Sequence, residues 1–259
     1  ALYAVAEVGG VQGIYRFVAS DGRSFDDEPS PPGAVLVPSE AWEGAALATP
    51  ELSRVGSEIW LFYGAEAGIG LARSPDGVSF EKLDAPVLGA AIAGWDLGAI
   101  PRSPGHVELE PGDHRLFYET DGGLGEARSV DGITWQRESA AVLEPAPQSA
   151  SDPPFDAVSV GDPEPTVAHS SEGRRITRVY YEGVGGDGQS AIGLAARFGD
   201  SGPLIRALAP ALSTSRKPRD PAVLSYGEVS LLHFTRQAGT STAQDYPALA
   251  LAVAPATLV

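Results

Sequence analysis

The sequence predicts an all-β protein, a five-bladed β-propeller built from four-stranded antiparallel blades. A ten-residue stretch occurs twice with few changes, "LARSPDGVSF" from Leu71 and "EARSVDGITW" from Glu126, and the copies are 55 residues apart. Short segments that alternate apolar and polar residues, as half-buried strands do, recur along the chain. A repeat of about 55 residues has the size of a propeller blade, and five such units fill 259 residues.

Each copy contains the same short pattern: Asp-Gly, any residue, Ser or Thr, and an aromatic residue. The pattern begins at Asp21, Asp76 and Asp131, so three copies keep one period. Asp-Gly between two alternating segments is a strong signal for a tight hairpin turn with positive φ at its central residues. The aromatic residue after each turn is expected to pack on the sheet. These residues are Phe25, Phe80 and Trp135.

Three families of alternating segments predict the strands of each unit. The segment ahead of the turn reads "IYRFV", "IGLAR" and "LGEAR", and two later copies without the turn read "IGLAAR" and "ALALAVA". A second family lies upstream and reads "LYAVAE", "IWLFYG", "HRLFYE", "TRVYYEG" and "VSLLHF", with a longer hairpin loop expected after its first member. The third family opens at a proline: Pro50, Pro104, Pro165 and Pro221.

We therefore expect one domain, with blades over about residues 1–40, 41–93, 94–153, 154–212 and 213–259. One blade alone cannot bury its apolar faces, and stacking repeated blades around a channel solves this problem. The first unit starts at its second strand, so its innermost strand lies upstream of Ala1 or is supplied by the C-terminal "PATLV". The alternative fold is a β-sandwich, which would have no reason to keep a 55-residue period.

Composition restricts the function and the environment. The net charge is −16 and the chain has only two lysines, so its surface repels phosphate backbones and we expect no nucleic-acid partner. The absence of cysteine excludes disulfides, thiolate nucleophiles and zinc–thiolate sites. No apolar run is long enough for a transmembrane helix. The chain has no Met, and we expect an N-terminal cut and an exported bacterial protein, extracellular or periplasmic.

Candidate ligand contacts lie ahead of the third strand family, because ligands of propellers meet the channel mouth where the innermost strands start. An aromatic–acid pair precedes three of these strands: Trp42-Glu43, Trp95-Asp96 and Phe155-Asp156. In the functional interpretation, the aromatic faces stack on sugar rings and the carboxylates bind hydroxyl groups. In the structural interpretation, the ring wedges between blades and the carboxylate accepts backbone N–H bonds at a turn.

Charged residues next to the prolines are further candidates for the ligand site: Arg102, Asp162, Glu164, Arg219 and Asp220. The alternative for Asp162 and Asp220 is a turn-forming role before proline. The four histidines share no metal-ligand spacing, and we expect no metal or other cofactor. Carboxylates at the mouth would suit calcium, although no ligand-loop spacing points to it. Three tyrosines are expected to pack in the sheet: Tyr63, Tyr118 and Tyr181.

With these motifs the chain resembles the five-bladed propellers of the furanosidase-like superfamily, which includes arabinanases, β-xylosidases, invertases and levansucrases. The resemblance rests on the runs "LFYG…GIGLARSPDGVSF…PVL" and "LFYET…GLGEARSVDGITW…AVL" and on the strand starts "GDPEPTV" and "RDPAVL". It implies a glycosidase-like propeller whose partner is an oligosaccharide or another small polar ligand. Enzymes of this superfamily carry an Asp on the first inner strand, a second Asp on the next blade and a Glu acid on the third. Glu164 matches that acid only if the roles shift by one blade.

We therefore expect a carbohydrate-recognising propeller related to glycosidases, with its ligand at the channel mouth, that is non-catalytic or degenerate. One alternative is an active glycoside hydrolase that uses Asp96, Asp156 or Glu164 in a carboxylate pair. Another alternative is an exported scaffold whose propeller face binds protein.

Overall fold

The computed structural model describes residues 1–21, 24–148, 154–226, 229–237 and 247–255. These residues include no α-helix, 52% of the chain is strand, and the arrangement is that of a β-propeller, which confirms the predicted all-β class. The chain forms two compact units: residues 1–120 with 126–140 are unit 1, and residues 121–125 with 141–259 are unit 2. Gly22 and the last four residues of "PATLV" lie outside the described residues. No helix in the described part is long and apolar enough to cross a membrane.

The chain begins with a two-stranded antiparallel hairpin, β1 (Leu2–Val8) and β2 (Val11–Phe17). Val8 pairs with Val11, so the turn consists of Gly9 and Gly10, whose φ angles are 60° and 81°. Positive φ at both central residues is what a two-residue primed turn requires. The longer hairpin loop expected here is wrong, and the Gly-Gly pair between two alternating segments carried the correct signal.

Two blades follow. A single turn of 3₁₀ helix (Ala41–Glu43) precedes blade A, which consists of β3 (Ala48–Val55), β4 (Glu58–Ala65), β5 (Gly68–Ser74), β6 (Glu81–Lys82) and β7 (Leu88–Gly89). Blade B consists of β8 (Arg102–Glu110), β9 (Asp113–Thr120), β10 (Gly123–Ser129) and β11 (Gln136–Arg137). In each blade the strands pair in chain order from the innermost strand outward, and β7 adds to β5.

Two further blades lie in unit 2. Blade C consists of β12 (Ser159–His169), β13 (Arg175–Val184), β14 (Ser190–Phe198) and β15 (Ile205–Arg206). Blade D consists of β16 (Arg219–Tyr226), β17 (Val229–Gln237) and β18 (Pro247–Pro255). Every segment of the three predicted strand families coincides with one of the strands β1 to β18, with an overhang of at most one residue. Strict alternation over several residues is a specific strand signal.

The described residues form four blades, not the five predicted. Blades A, B and C have four or more strands and blade D has three, whereas the first sequence repeat forms only the two-stranded β1–β2 sheet. One isolated bridge, Ile14 with Leu36, is its further sheet pairing. The segment after β2 is rich in Pro, Ser and Asp. Proline lacks the N–H that a ladder needs, so this segment does not extend the sheet.

The Asp-Gly turns of blades A and B are built by a side chain and are not tight primed turns as predicted. The loop from β5 to β6 spans residues 75–80, and within the pair only Gly77 has positive φ, 72°. Asp76 Oδ1 accepts hydrogen bonds of 2.8 Å from the backbone N–H groups of Val78 and Ser79. These donors lower the pKa of Asp76 to about 2. Asp131 repeats the arrangement in blade B.

Aromatic side chains pack these turns onto the sheet in unit 1, as predicted. The ring of Tyr3 meets the ring of Phe80 edge-on, with 6.1 Å between centroids. Trp135 packs against the core around Trp60. Gly132 lies so close to Trp60 that a Cβ on it would be 2.0 Å from Cζ3 of that ring. The glycine of the repeated Asp-Gly pair therefore serves packing as well as backbone conformation.

Two polar pairs are buried in blade B. His106 and His114 stack with 5.4 Å between ring centroids, and Nε2 of the first lies 3.3 Å from Nδ1 of the second. Arg115 and Glu126 form an ion pair of 3.2 Å whose side chains are 4% and 0% exposed. These two residues occupy the places of Trp60 and Leu71 one period earlier. Equivalent positions of two blades are thus filled by opposite chemistry.

Candidate functional site

The innermost strand of each of the four blades contains one shared backbone feature within its first four residues, a residue of positive φ followed by proline. These residues are Thr49, Ser103, Asp162 and Asp220, with φ from 40° to 48°. Each lies at a bulge in the pairing with the next strand. Because Thr, Ser and Asp all adopt this conformation, the blade architecture and its bulge determine the backbone here. The residue type determines only which side-chain group is placed at the position. The matching proline of blade C is therefore Pro163, not Pro165 as the sequence suggested.

Unit 2 brings three carboxylates together at this position. Asp162 on β12, Glu182 near the end of β13 and Asp220 on β16 each offer one oxygen, and the three oxygens lie within 4.8 Å of one another. Asp162 and Glu182 are half-buried, and Asp220 is exposed. Arg219 Nε lies 3.3 Å from Glu182 Oε1, and the Thr235 hydroxyl donates to Asp220. We call Asp162, Glu182 and Asp220 the acidic cluster.

Two other predicted residues lie on inner strands outside the cluster. Glu164 Oε1 accepts a hydrogen bond of 2.9 Å from the backbone N–H of Val223, so this carboxylate ties β12 to β16 two residues beyond Asp162. Arg102 lies in unit 1 and forms an ion pair of 2.9 Å with Glu119. Glu119 occupies in blade B the position that Glu182 occupies in blade C, opposite the residue that precedes the bulge.

The acid of the first aromatic–acid pair is part of a buried polar trio. Glu43 is fully buried, and its carboxylate accepts hydrogen bonds from the Tyr63 hydroxyl at 2.7 Å and from Lys82 Nζ at 2.7 and 2.8 Å. The backbone N–H groups of Ser39 and Glu40 donate at 2.7 and 2.9 Å. Burial alone would raise the pKa of Glu43, but these backbone donors and the Lys82 ammonium hold the pKa below its ordinary value.

Blades B and C contain the same trio. Asp96 accepts from the Tyr118 hydroxyl at 3.0 Å and pairs with Arg137. Asp156 accepts from the Tyr181 hydroxyl at 2.7 Å, and Arg206 Nε lies 2.9 Å from the same oxygen. The side chains of Asp96 and Asp156 are 1% and 0% exposed. Burial raises the pKa of Tyr118 to about 12, so this hydroxyl remains a donor at neutral pH.

The aromatic members of the pairs pack against these trios. Trp42 stacks on Tyr63 at 6.1 Å and 22°, and Phe155 stacks on Tyr181 at 6.2 Å and 25°. Trp95 packs against the hydrophobic core of unit 1. In each pair the ring is thus fixed beside its acid. These contacts match the structural interpretation more closely than a free aromatic platform.

Sequence reasoning assigned Arg102, Asp162, Glu164, Arg219 and Asp220 to one ligand site and missed Glu182. The structure brings Asp162 and Asp220 together with Glu182, and Arg219 pairs with Glu182. The signal for Glu182 is the Tyr-Glu dipeptide at the end of the second strand family, which blade B repeats at Glu119. The cations of the trios were missed too, although Lys82 and Arg137 are 55 residues apart and so follow the period of the chain.

The acidic cluster has the chemistry of a polar ligand site. Ca²⁺ takes oxygen ligands at about 2.3–2.6 Å, so two ligands of one ion lie no more than about 5 Å apart. The spacing of 4.8 Å therefore fits a single oxygen-liganded cation. The same oxygens can accept hydrogen bonds from several hydroxyl groups of one ligand, and the Arg219 guanidinium can donate to it.

No family model matches the chain, and no curated protein matches it. Among solved structures, it is similar to an α-L-arabinanase of Cellvibrio cellulosa, with TM-score 0.67, 11% identity, and 96% of this chain and 90% of that chain covered. An endo-arabinase from Bacteroides thetaiotaomicron gives TM-score 0.62 and 16% identity, with 95% and 87% covered. A thermostable family-43 glycoside hydrolase gives 0.54 and 14%, with 82% and 69% covered. These likenesses show the fold.

Proposed function

We propose that the chain binds a carbohydrate at the acidic cluster of unit 2. The observation that carries this proposal is the convergence of Asp162, Glu182 and Asp220, which arrive from three strands and place their oxygens within 4.8 Å of one another. A sugar presents several hydroxyl donors at short spacing, and hydrogen bonds to a charged acceptor are roughly twice as strong as neutral ones. Arg219 adds a donor for ring and hydroxyl oxygens at the rim.

The similar structures support a glycosidase-related ligand. Two of them are arabinanases by name, so arabinose-containing oligosaccharides are the first ligands to test. We also propose kinship with the furanosidase-like propellers, in which the hairpin β1–β2 and the segment to residue 40 would be a reduced fifth blade. The β1–β2 sheet and the Ile14–Leu36 bridge support this view, because they keep the strand order of a blade.

We place glycoside hydrolysis second. The observation in its favour is the closeness of two carboxylates on separate strands, since retaining glycosidases hold theirs roughly 5–5.5 Å apart. Asp96 and Asp156 are less suited to the reaction than predicted, because each is buried in a trio with a tyrosine and an arginine. Glu164 Oε1 already accepts from Val223. A hydrolase in this chain would therefore use the acidic cluster itself.

Calorimetry with neutral arabino-, xylo-, fructo- and manno-oligosaccharides tests the proposal. We expect Asp220→Asn and Glu182→Gln each to weaken binding about tenfold, the loss of roughly one charged hydrogen bond. Glu119→Gln is the matched control, because it makes the same change at the equivalent position of blade B. Titrations with calcium and with a chelator separate a direct sugar contact from one bridged by a cation.

Chromatography of the same mixtures separates the two functions. Binding without sugar release supports recognition alone, whereas release that Asp162→Asn abolishes supports hydrolysis. If none of the four oligosaccharide series binds, or if the cluster variants bind as tightly as the wild type, the proposed site is wrong.

A further inference from the structure

A cavity of about 690 Å³ lies in unit 2 beside the hairpin that joins β13 to β14. Its walls come from three segments: Pro154 and Phe155 ahead of β12, the hairpin from Gly185 to Ala191, and Ser213–Ser215 ahead of β16. No candidate residue of the acidic cluster lines it. The cavity is therefore a feature separate from the cluster, although it belongs to the same unit.

The wall chemistry favours a neutral polar ligand. Ser190, Ser213, Thr214 and Ser215 bring hydroxyl groups, and Gln189 brings an amide. The ring of Phe155 is fixed by its stacking on Tyr181, and it gives the cavity an aromatic side. Among the described lining residues the one charged side chain is Asp187, whose Oδ1 accepts from the backbone N–H of Gln189 at 3.0 Å. An apolar face with a few neutral hydrogen-bonding groups is the usual composition of a small-molecule site.

Ser190 supplies an independent observation that points to a ligand. It is 2% exposed, and its Oγ has no hydrogen-bond partner among the described residues. Buried hydroxyls in native proteins are nearly always paired, because leaving one unpaired is costly. Less than 1 Å² of this oxygen is exposed, but Ser190 lines the cavity, so a ligand hydroxyl there would supply the missing partner once the Ser190 side chain turns towards it.

The cavity lies within reach of the acidic cluster. Gly185 follows Glu182 by three residues, and Ser215 precedes Arg219 by four. A chain spans at most about 3.6 Å per residue, so the Cα atoms of Gly185 and Glu182 are no more than about 11 Å apart. Two of the three wall segments thus continue directly into strands that carry or adjoin the cluster.

We propose that this cavity binds one residue of a neutral oligosaccharide whose other end contacts the acidic cluster. The inference rests on the proposed function and makes its substrate more specific: an uncharged linear oligosaccharide long enough to occupy both places. Ser190 contacts the sugar in the cavity, and Phe155 covers its apolar face. An acidic sugar residue is disfavoured there, because Asp187 lies in the wall and no described lining residue is a cation.

The test compares two cavity variants with a matched control across oligosaccharide lengths. Ser190→Ala removes only the unpaired hydroxyl, so we expect an unchanged or higher melting temperature. Gly186→Leu places a side chain where nothing lies within 4 Å of the new Cβ, and it fills space without a clash. Thr177→Val is the control, because Thr177 Oγ1 is also buried without a described partner but does not line the cavity.

Affinity is measured by calorimetry from the disaccharide to the hexasaccharide of whichever neutral series binds. In the wild type and in Thr177→Val we expect the affinity to rise about tenfold once the oligosaccharide is long enough to reach the cavity. This rise corresponds to one new hydrogen bond with packing. Both cavity variants should lose this gain and keep the affinity for the shortest ligand.

Two results overturn the inference while leaving the proposed function intact: no gain with length in the wild type, or a gain that survives in both cavity variants. Failure of every neutral oligosaccharide to bind would overturn the proposed function together with the inference. Loss of the gain in Thr177→Val as well would show a general effect of blade C packing and would also count against the cavity.

Discussion

Replacing Lys82 with Met should destabilise unit 1 strongly, because it leaves the carboxylate of Glu43 buried without its cation. The Glu43 side chain is fully buried and that of Lys82 is 14% exposed, so solvent cannot take over the lost interaction. Lys82 also donates to the carbonyl of Val37 and to the hydroxyl of Ser39. Isosteric removal of charge at the other partner, Glu43→Gln, keeps the shape of the trio.

The magnitudes follow from the contacts. Breaking a buried ion pair by removing one partner costs about 3–5 kcal/mol. Glu43 keeps its tyrosine and two backbone donors, so we expect Lys82→Met to cost about 3 kcal/mol, at the low end of that range. We expect Glu43→Gln to cost about 2 kcal/mol, the value of hydrogen bonds to a charged group. The double variant should cost only about 2 kcal/mol, because it leaves no unpaired charge.

The assay is urea unfolding followed by tryptophan fluorescence. All four tryptophans lie in unit 1, so the signal reports the unit that contains the trio. Glu138→Gln is the control, since it removes one partner of the more exposed pair with Arg128 and should cost less than about 1 kcal/mol. Additive single-variant losses, or a loss below about 1 kcal/mol for Lys82→Met, would refute the structural role of the trio.

Two further predictions concern blade B. Gly132→Ala should cost more than about 2 kcal/mol, because it combines about 1 kcal/mol of left-handed backbone strain with a clash against Trp60. Gly112→Ala is the control: its φ of 78° is similar and its new Cβ meets only an ordinary 3.6 Å contact, so it should show the strain alone. Equal losses for the two variants in urea unfolding would contradict the packing role of the turn. Burial, with a smaller effect of His114, lowers the pKa of His106 to about 3 from 6.5. At His106 the native state therefore binds fewer protons than the unfolded state below pH 6.5. The contribution of His106 to the free energy of unfolding is complete above that pH and falls by about 1.4 kcal/mol per pH unit as the pH drops toward 3. His106→Phe should flatten this dependence of the urea midpoint on pH, and parallel curves for the variant and the wild type would show that His106 is not responsible.

The sequence predicts the strands well and the sheet edges poorly. Alternation identifies every strand from β1 to β18 that belongs to a predicted family, since each strand keeps a local pattern of apolar and polar residues. The prediction of a fifth complete blade is wrong because strand pairing depends on distant residues. The Pro-rich segment after β2 cannot continue the backbone hydrogen bonding of the sheet, although the 55-residue sequence period runs through it. The predicted turn type is wrong because the Asp76 side chain accepts hydrogen bonds from backbone N–H groups of its own loop. The Asp-Gly pair alone does not distinguish this loop from a primed turn.

The site divides in a similar way. Asp162 and Asp220 could be singled out because each lies next to a proline in the segment of an inner strand, although the sequence pointed to Pro165 in blade C and the matching proline is Pro163. Glu182 depends on strand register, which places it opposite the residue before a bulge. The repeat does not predict whether an equivalent position is apolar or charged: Arg115 in blade B stands where blade A has Trp60.

The polar trio also defines what a duplicated module of this chain must contain. In each of blades A, B and C it fastens the segment that leads into a blade to the outermost strand of that same blade. A gene fragment that starts at the first inner-strand residue would lose the acid and keep its cation. A transferable module therefore starts at the aromatic–acid pair. For the same reason, new termini made by circular permutation belong between an outermost strand and the next such pair, where they leave every fastening within one continuous segment.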